Sequence, residues 1–187
     1  MDEVEAARRA LRRFSDTYRL TAPPVDVAEL AGSLCRLRVR LGDDLRALVN
    51  AAPDVHVSGV LLPAAWEIWV RRDESETRRR FTIGHEIGHH FLHSDGATVL
   101  CRAADVDQAE EAARLKERQA NRFAAELLMP EPLIRERVKR DGLDVTELAR
   151  TFDVSPIAMA YRLVNLEVLE IVPPDIEAEQ LRWRRSV

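Results

Sequence analysis

Residues 79–93 read R-R-F-T-I-G-H-E-I-G-H-H-F-L-H and contain the pattern H-E-x-x-H at His85, Glu86 and His89. Residues four apart on a helix are separated by only about 40° around its axis. The imidazoles of His85 and His89 should therefore point the same way and bind one Zn²⁺. Glu86 lies beside that face and can reach a metal-bound water without being a ligand itself. The pattern predicts a zinc hydrolase that cuts peptide bonds, with Glu86 as its catalytic residue.

A hydrolytic zinc site needs a third protein ligand. The helix predicted for residues 107–129 carries an inward stripe in which Glu117 is the acid near the middle of small and apolar residues: Ala113, Ala120, Ala124 and Leu128. A carboxylate there costs several kcal/mol unless it is paired or binds a metal, and the alanines allow two helices to approach closely. We expect Glu117 to be the third ligand. Two alternatives remain: a salt bridge from Glu117 to Arg114 or Arg118, and Asp95 as the ligand instead.

Other polar residues have predicted roles outside the ligand set. His93 is four residues after His89, where a hydrogen bond that steadies the helix end is favoured over ligation. His90 should be exposed, and His56 should serve packing or the surface. Asn121, one turn after Glu117, has two candidate roles: to orient that carboxylate, or simply to cap a gap in the packing. Tyr161 and the Arg78–Arg80 run are candidates for stabilising an oxyanion, although the arginines are more typical of a solvated turn.

The chain outside the pattern predicts an α+β fold with a small antiparallel sheet before the active-site helix. Amphipathic spacing predicts a helix over 3–18, and Asp26 should cap a short helix that ends by Gly32. Alternation over 35–41 and apolar runs at 57–62 and 66–70 predict strands, and further helices are predicted at 78–93, 107–129, 133–140, 145–151 and 155–166. We divide the chain into a zincin-like peptidase domain (1–132), a helical helix-turn-helix-like subdomain (133–172) and a tail (173–187).

Composition excludes some classes of protein. The chain has 187 residues and a net charge of −4, which argues against broad nucleic-acid binding. Cys35 and Cys101 form no disulfide framework, the N-terminus has no apolar signal region, and no apolar run is long enough for a membrane span. We expect a cytoplasmic protein without a membrane partner.

Two linked motifs resemble the ImmA/IrrE metallopeptidases. These are the run at 79–93 and E-R-Q-A-N-R-F-A-A-E-L-L-M-P at 117–130, compared with R-F-T-x-x-H-E-x-G-H-x-x-L-H and E-x-x-A-N-x-F-A-A-x-L-L-M-P. The resemblance implies a zincin-like fold, with His85, His89 and Glu117 as zinc ligands and Glu86 as the catalytic residue. It also implies an intracellular protease that cleaves a helix-turn-helix repressor and so relieves repression. Gly84 departs from the frequent alanine of the family, and we expect no counterpart of the sensor domain found in radiation-response members.

A regulator that does not cleave its partner is the alternative. Residues 145–166 have the spacing of a helix-turn-helix, but the second helix offers only Arg162 as a base, where a recognition helix usually presents several polar side chains. Direct DNA binding is therefore disfavoured against protein docking. A toxin-like partner of a repressor, with the same zinc site acting on another substrate, is a further possibility.

Overall fold

The computed structural model describes residues 2–18, 22–93, 99–100 and 108–178, which form an α+β fold. Its helices lie close to the predicted positions: α1 (Glu3–Tyr18), α2 (Val27–Cys35), α3 (Glu76–Leu92), α4 (Gln108–Leu128), α5 (Glu131–Asp141), α6 (Val145–Phe152) and α7 (Pro156–Asn165). The strands are β1 (Arg38–Gly42), β2 (Gly59–Leu62), β3 (Glu67–Arg71) and β4 (Val99–Leu100). Residues 174–178 add a short helical segment, in which Ile176 is buried.

The sheet is mixed, which corrects the prediction of an antiparallel sheet. Its strand order is β1-β3-β2-β4, and β2 is antiparallel to both β3 and β4, whereas β1 is parallel to β3. Strand β3 lies between β1 and β2; it runs in the same direction as β1 and opposite to β2. A fully antiparallel sheet would result if β1 paired with β2, but here β3 pairs with both of them. Strand β4 was not predicted.

The first helix–strand boundary also differs from the prediction. Helix α2 begins as expected, with the Asp26 carboxylate accepting a hydrogen bond from the Glu29 backbone N–H at 2.9 Å. It continues through Gly32 to Cys35, and the Ser33 hydroxyl donates to the Glu29 carbonyl at 2.7 Å. Arg36 then adopts a left-handed conformation that ends the helix. Cys35, assigned to the strand by its alternation, is instead a buried free cysteine at the helix end.

One apolar core joins the sheet to the helices on both sides of the predicted boundary at 132/133. It includes Phe14 of α1, Ile68 of β3, Phe123 of α4, Phe152 of α6 and Leu163 of α7. Helix α4 packs against α3 on one side and α1 on another. The domain division and the helix-turn-helix likeness of α6 and α7 stay predictions. Among the helices of the described ranges, none is both long enough and apolar enough to cross a membrane.

A buried ion-pair network fixes helix α4 between α1 and α7. The Glu126 side chain is 1% exposed and accepts hydrogen bonds from the guanidinium groups of Arg8, at 2.8 Å, and Arg162. Arg162, only 8% exposed, also donates to the Met129 carbonyl at 3.1 Å. A buried carboxylate is strongly destabilising without such partners. The network therefore ties together the helix that carries Glu117 and the helices at either end of the fold.

Candidate metal centre

Helix α3 places His85 and His89 on one buried face, as the spacing predicts. The helix begins at a Ser75 cap, whose hydroxyl accepts a hydrogen bond from the Arg78 backbone N–H at 3.3 Å, and it runs without a break to Leu92. His85 and His89 are 2% and 1% exposed. Their ring centroids are 4.6 Å apart, and their Nε2 atoms are separated by 2.9 Å. Both nitrogens can therefore bind the same ion.

A close approach of α4 brings Glu117 to the histidines. A Cβ atom added at Gly88 would lie 3.1 Å from the Ala120 Cα and 3.2 Å from the Ala120 carbonyl oxygen, so a residue with a side chain at 88 would force the helices apart. Ala120 and Ala124 of α4 are fully buried along this contact. The small residues of α4 were predicted to allow this approach, but the role of Gly88 on the facing helix was not predicted. The four-residue spacing of Gly84 and Gly88 would have indicated that α3 also presents small residues on this face.

The three predicted ligands converge. The Glu117 carboxylate oxygens lie 3.1 Å from His85 Nε2 and 3.2 Å from His89 Nε2, and among the described residues these three side chains form the one His/Cys/Asp/Glu group that could hold a metal. Zinc–nitrogen and zinc–oxygen bonds of about 2.0–2.2 Å in tetrahedral geometry separate two ligand atoms by roughly 3.3 Å. The observed separations are close to this value, and two imidazoles with one carboxylate are a donor set of catalytic zinc sites. The residues present therefore fit zinc.

The charges of the site favour an ionised Glu117. Burial opposes ionisation of Glu117, but hydrogen bonds from His85 and His89 outweigh it and hold the pKa of the carboxyl at about 2. Burial lowers the pKa of His89, and the hydrogen bond to Glu117 opposes that shift. An ionised Glu117 and a lowered pKa of His89 both favour the deprotonated ligand atoms that a divalent cation requires.

Asn121 and His93 support the ligands from outside the site. The Asn121 side-chain oxygen lies 2.9 Å from His85 Nδ1, so it can accept a hydrogen bond that fixes the ring with Nε2 toward the ligands. Neither candidate role of Asn121 included this contact, since its side-chain oxygen reaches across the helix interface to His85. His93 Nε2 lies 3.3 Å from the Lys116 backbone carbonyl, which confirms the hydrogen bond predicted for the end of α3.

Glu86 is sealed beneath the site against strand β2. It is 0% exposed, and neither carboxylate oxygen has a hydrogen-bonding partner among the described residues. The pKa of Glu86 is raised to about 8, mainly by burial. The charge of His85 and the nearby Leu61 backbone amide lower this pKa, whereas the charge of Glu117 raises it. A carboxyl group with a pKa near neutrality can both accept and return a proton.

The other polar residues considered for the site are exposed, half-buried or outside the described residues. His56 is exposed and lies 3.2 Å from Glu74, as expected of a surface residue. His90 is half-buried against Trp66 and Phe91, so the prediction that it is exposed was wrong. Tyr161 is 52% exposed. Asp95 lies outside the described residues.

The arginines at 78–80 lie inside helix α3, in agreement with the helix predicted over 78–93 and against a solvated turn. The Arg80 side chain is 14% exposed. It donates to the carbonyl oxygens of Val25 at 2.9 Å and Asp153 at 3.0 Å. Arg80 therefore connects α3 to the segment before α2 and to the turn between α6 and α7.

The fold and this donor set define an α+β domain of the H-E-x-x-H metal-binding class. Comparison with known families narrows this class: residues 45–164 match the peptidase family described as IrrE N-terminal-like domain. The chain belongs to this family, which confirms the resemblance seen in the sequence.

Two relatives support the assignment, and a solved structure has a similar fold. The chain is 30% identical to the radiation response metalloprotease IrrE of Deinococcus radiodurans, covering 70% of this chain and 43% of the relative. It is 36% identical to the protein of the same name from Deinococcus deserti, covering 94% and 58%. The chain thus spans about half the length of the curated relatives it matches. A Mycobacterium tuberculosis transcriptional regulator has a similar fold, with a TM-score of 0.58, 19% identity, and coverage of 86% of this chain and 47% of that one.

Proposed function

We propose that this chain is a zinc-dependent endopeptidase. The observation that carries the proposal is the convergence of His85, His89 and Glu117, with the buried Glu86 on the same helix, in a chain of a peptidase family. The two histidines and Glu117 would hold the ion. When bound, zinc supplies Lewis acidity, which lowers the pKa of water to about 7 and polarises the scissile carbonyl.

The protein's own groups supply the proton transfers and the alignment. Glu86 accepts a proton from the attacking water and delivers it to the leaving amine, which its raised pKa favours. Asn121 holds His85 in the orientation that directs Nε2 inward. The close contact of Gly88 with Ala120 keeps Glu117 within reach. Glu86 and His85 are buried, which limits the access of bulk water to the groups that carry the proton.

The substrate that we propose is a helix-turn-helix repressor, whose cleavage would relieve repression. The support is the family resemblance, since repressor cleavage is the activity that the resemblance implies. The alternative, a DNA-binding or toxin-like partner that acts without proteolysis, is disfavoured in its DNA-binding form. Arg162, the single base on α7, is buried against Glu126 and the Met129 carbonyl, so it is not available to phosphates or base edges.

The test compares wild-type protein with the Glu86→Gln variant, which keeps the three ligands. Zinc content is measured by inductively coupled plasma mass spectrometry, and each protein is incubated with a candidate repressor whose products are identified by intact-mass spectrometry. We expect about one zinc per chain in both proteins and cleavage by the wild type alone. Wild-type protein that binds no zinc would refute the metal site. Zinc binding without cleavage of any repressor or unfolded protein would refute the endopeptidase and favour the toxin-like alternative.

A further inference from the structure

Gly59 lies in strand β2, directly against the face of α3 that carries Glu86. A Cβ atom added at Gly59 would lie 2.3 Å from Thr82 Cγ2, 3.0 Å from Glu86 Oε1 and 3.5 Å from the Trp69 carbonyl oxygen. Non-bonded carbon atoms pack at about 3.5–4.0 Å, so no side chain fits at this position unless the groups on α3 move. Gly59 is buried, and β2 is held in register by pairing with β3 on one side and β4 on the other.

Space rather than backbone conformation requires glycine at this position. The φ angle of Gly59 lies outside the left-handed region, so an alanine could adopt the same backbone. Gly84 on α3 provides the contrast, because an added Cβ there would meet Ala124 at 3.5 Å, an ordinary packing distance. The absence of a side chain at Gly59 therefore creates a slot that accepts the Thr82 methyl and the Glu86 carboxylate.

The packing of this slot determines where the Glu86 carboxylate can lie. Thr82 and Glu86 are one helical turn apart and face β2 together, and neither Glu86 oxygen is held by a hydrogen bond among the described residues. A side chain without such bonds is located by the surfaces it touches. We propose that Gly59 is the positioning residue for Glu86: the missing side chain lets the carboxylate lie where it can exchange a proton with the reacting water. The catalytic part of this inference rests on the endopeptidase function proposed above.

The two contacts of the missing side chain can be separated by mutation. Thr82→Ser removes the Cγ2 atom but keeps the hydroxyl, which donates to the Arg78 carbonyl at 3.0 Å. In T82S as the reference, Gly59→Ala then introduces mainly the contact with Glu86. We expect G59A/T82S to bind one zinc with KM within about twofold of T82S, while kcat falls by at least about tenfold, since small misplacements of a reacting group are costly. Gly84→Ala, which adds the same methyl on α3 without a close contact, should keep the wild-type kcat. An unchanged kcat in G59A/T82S would overturn the proposal.

A second measurement does not depend on catalysis. Thermal unfolding of metal-free protein is compared for Gly59→Ala in the T82S and T82S/E86A backgrounds. We expect Tm to fall by about 2–6 °C when Glu86 is present and not to fall when the carboxylate has been removed. An equal loss in both backgrounds would show that Gly59 serves strand packing alone. If G59A/T82S does not fold, a cooperative transition restored by E86A supports the proposal, and no restoration overturns it. Because this cycle needs no substrate, it tests the contact even if the wild type cleaves nothing.

Discussion

Replacing the sealed carboxyl of Glu86 by an amide should stabilise the metal-free protein in a manner that depends on pH. Glu86 has no exposed surface, and burial raises its pKa from 4.5 to about 8. A group whose pKa is raised by folding contributes stability that is fully present below its pKa in the unfolded protein. This stability is lost as pH rises through its pKa in the folded protein. The window is therefore pH 4.5 to about 8. A shift of this size corresponds to about 5 kcal/mol at most, since each pKa unit is worth about 1.4 kcal/mol.

The quantity to measure is the difference in free energy of unfolding between Glu86→Gln and wild type. Urea denaturation of chelator-treated protein at intervals from pH 4.5 to 8.5 provides it. The glutamine amide has its own cost of burial, but that cost is independent of pH and shifts the whole curve without changing its slope. We expect the variant to gain roughly 3–5 kcal/mol relative to wild type across the window. The exposed Glu111→Gln controls for the loss of one negative charge.

A difference that stays constant between pH 4.5 and 8 would refute the reasoning, because it would show that the carboxylate is solvated or paired in the folded protein. Addition of zinc provides a further check. A nearby divalent cation favours the ionised carboxylate, so the pH-dependent difference should shrink in the metal-bound protein.

Three further predictions concern the groups around the site. Gly88→Ala should push α4 away from α3 and weaken zinc binding by at least about tenfold, measured by competition with a chromogenic chelator, whereas Gly84→Ala should not. Asn121→Ala should lower zinc affinity by about 10–100-fold in the same assay, because His85 loses its orienting hydrogen bond; unchanged affinity would contradict this role. Arg162→Met should cost about 3–5 kcal/mol of stability in urea denaturation, because Glu126 loses a buried partner, while Arg150→Met on the surface should cost less than about 1 kcal/mol.

Local periodicity predicted much of the fold. The helices follow from apolar spacing and from the Asp26 cap, which accepts the expected hydrogen bond. The Ser155 hydroxyl caps α7 in the same way. Sheet order was less accessible, because the pairing of β1 with β3 depends on contacts between distant segments. The two residues of β4 carry too little sequence for any alternation to appear. Cys35 illustrates a further ambiguity, since an apolar residue at a helix end matches the alternation of the strand that follows.

Site residues were predictable where their spacing along one helix determines which face they occupy. His85 and His89 share a face because of their spacing, and Glu117 was recognisable as an acid within an apolar stripe. The partner of Asn121 was not recognisable, since spacing places it near Glu117 while its side chain crosses to His85. The burial of Arg162 and the slot at Gly59 depend on how separate elements pack, and the sequence contains no local sign of either.

The pairing of Glu126 with Arg8 and Arg162 limits how the chain can be recombined with its relatives. These charges come from α4, α1 and α7, so they lie on both sides of residue 132. A chimera joined at that residue would leave the buried Glu126 with Arg8 alone as its partner in this network, unless the donor of the C-terminal helices also has a base at position 162. Exchange of the helices after 132 within the family therefore has to keep Glu126 and a base at position 162 together.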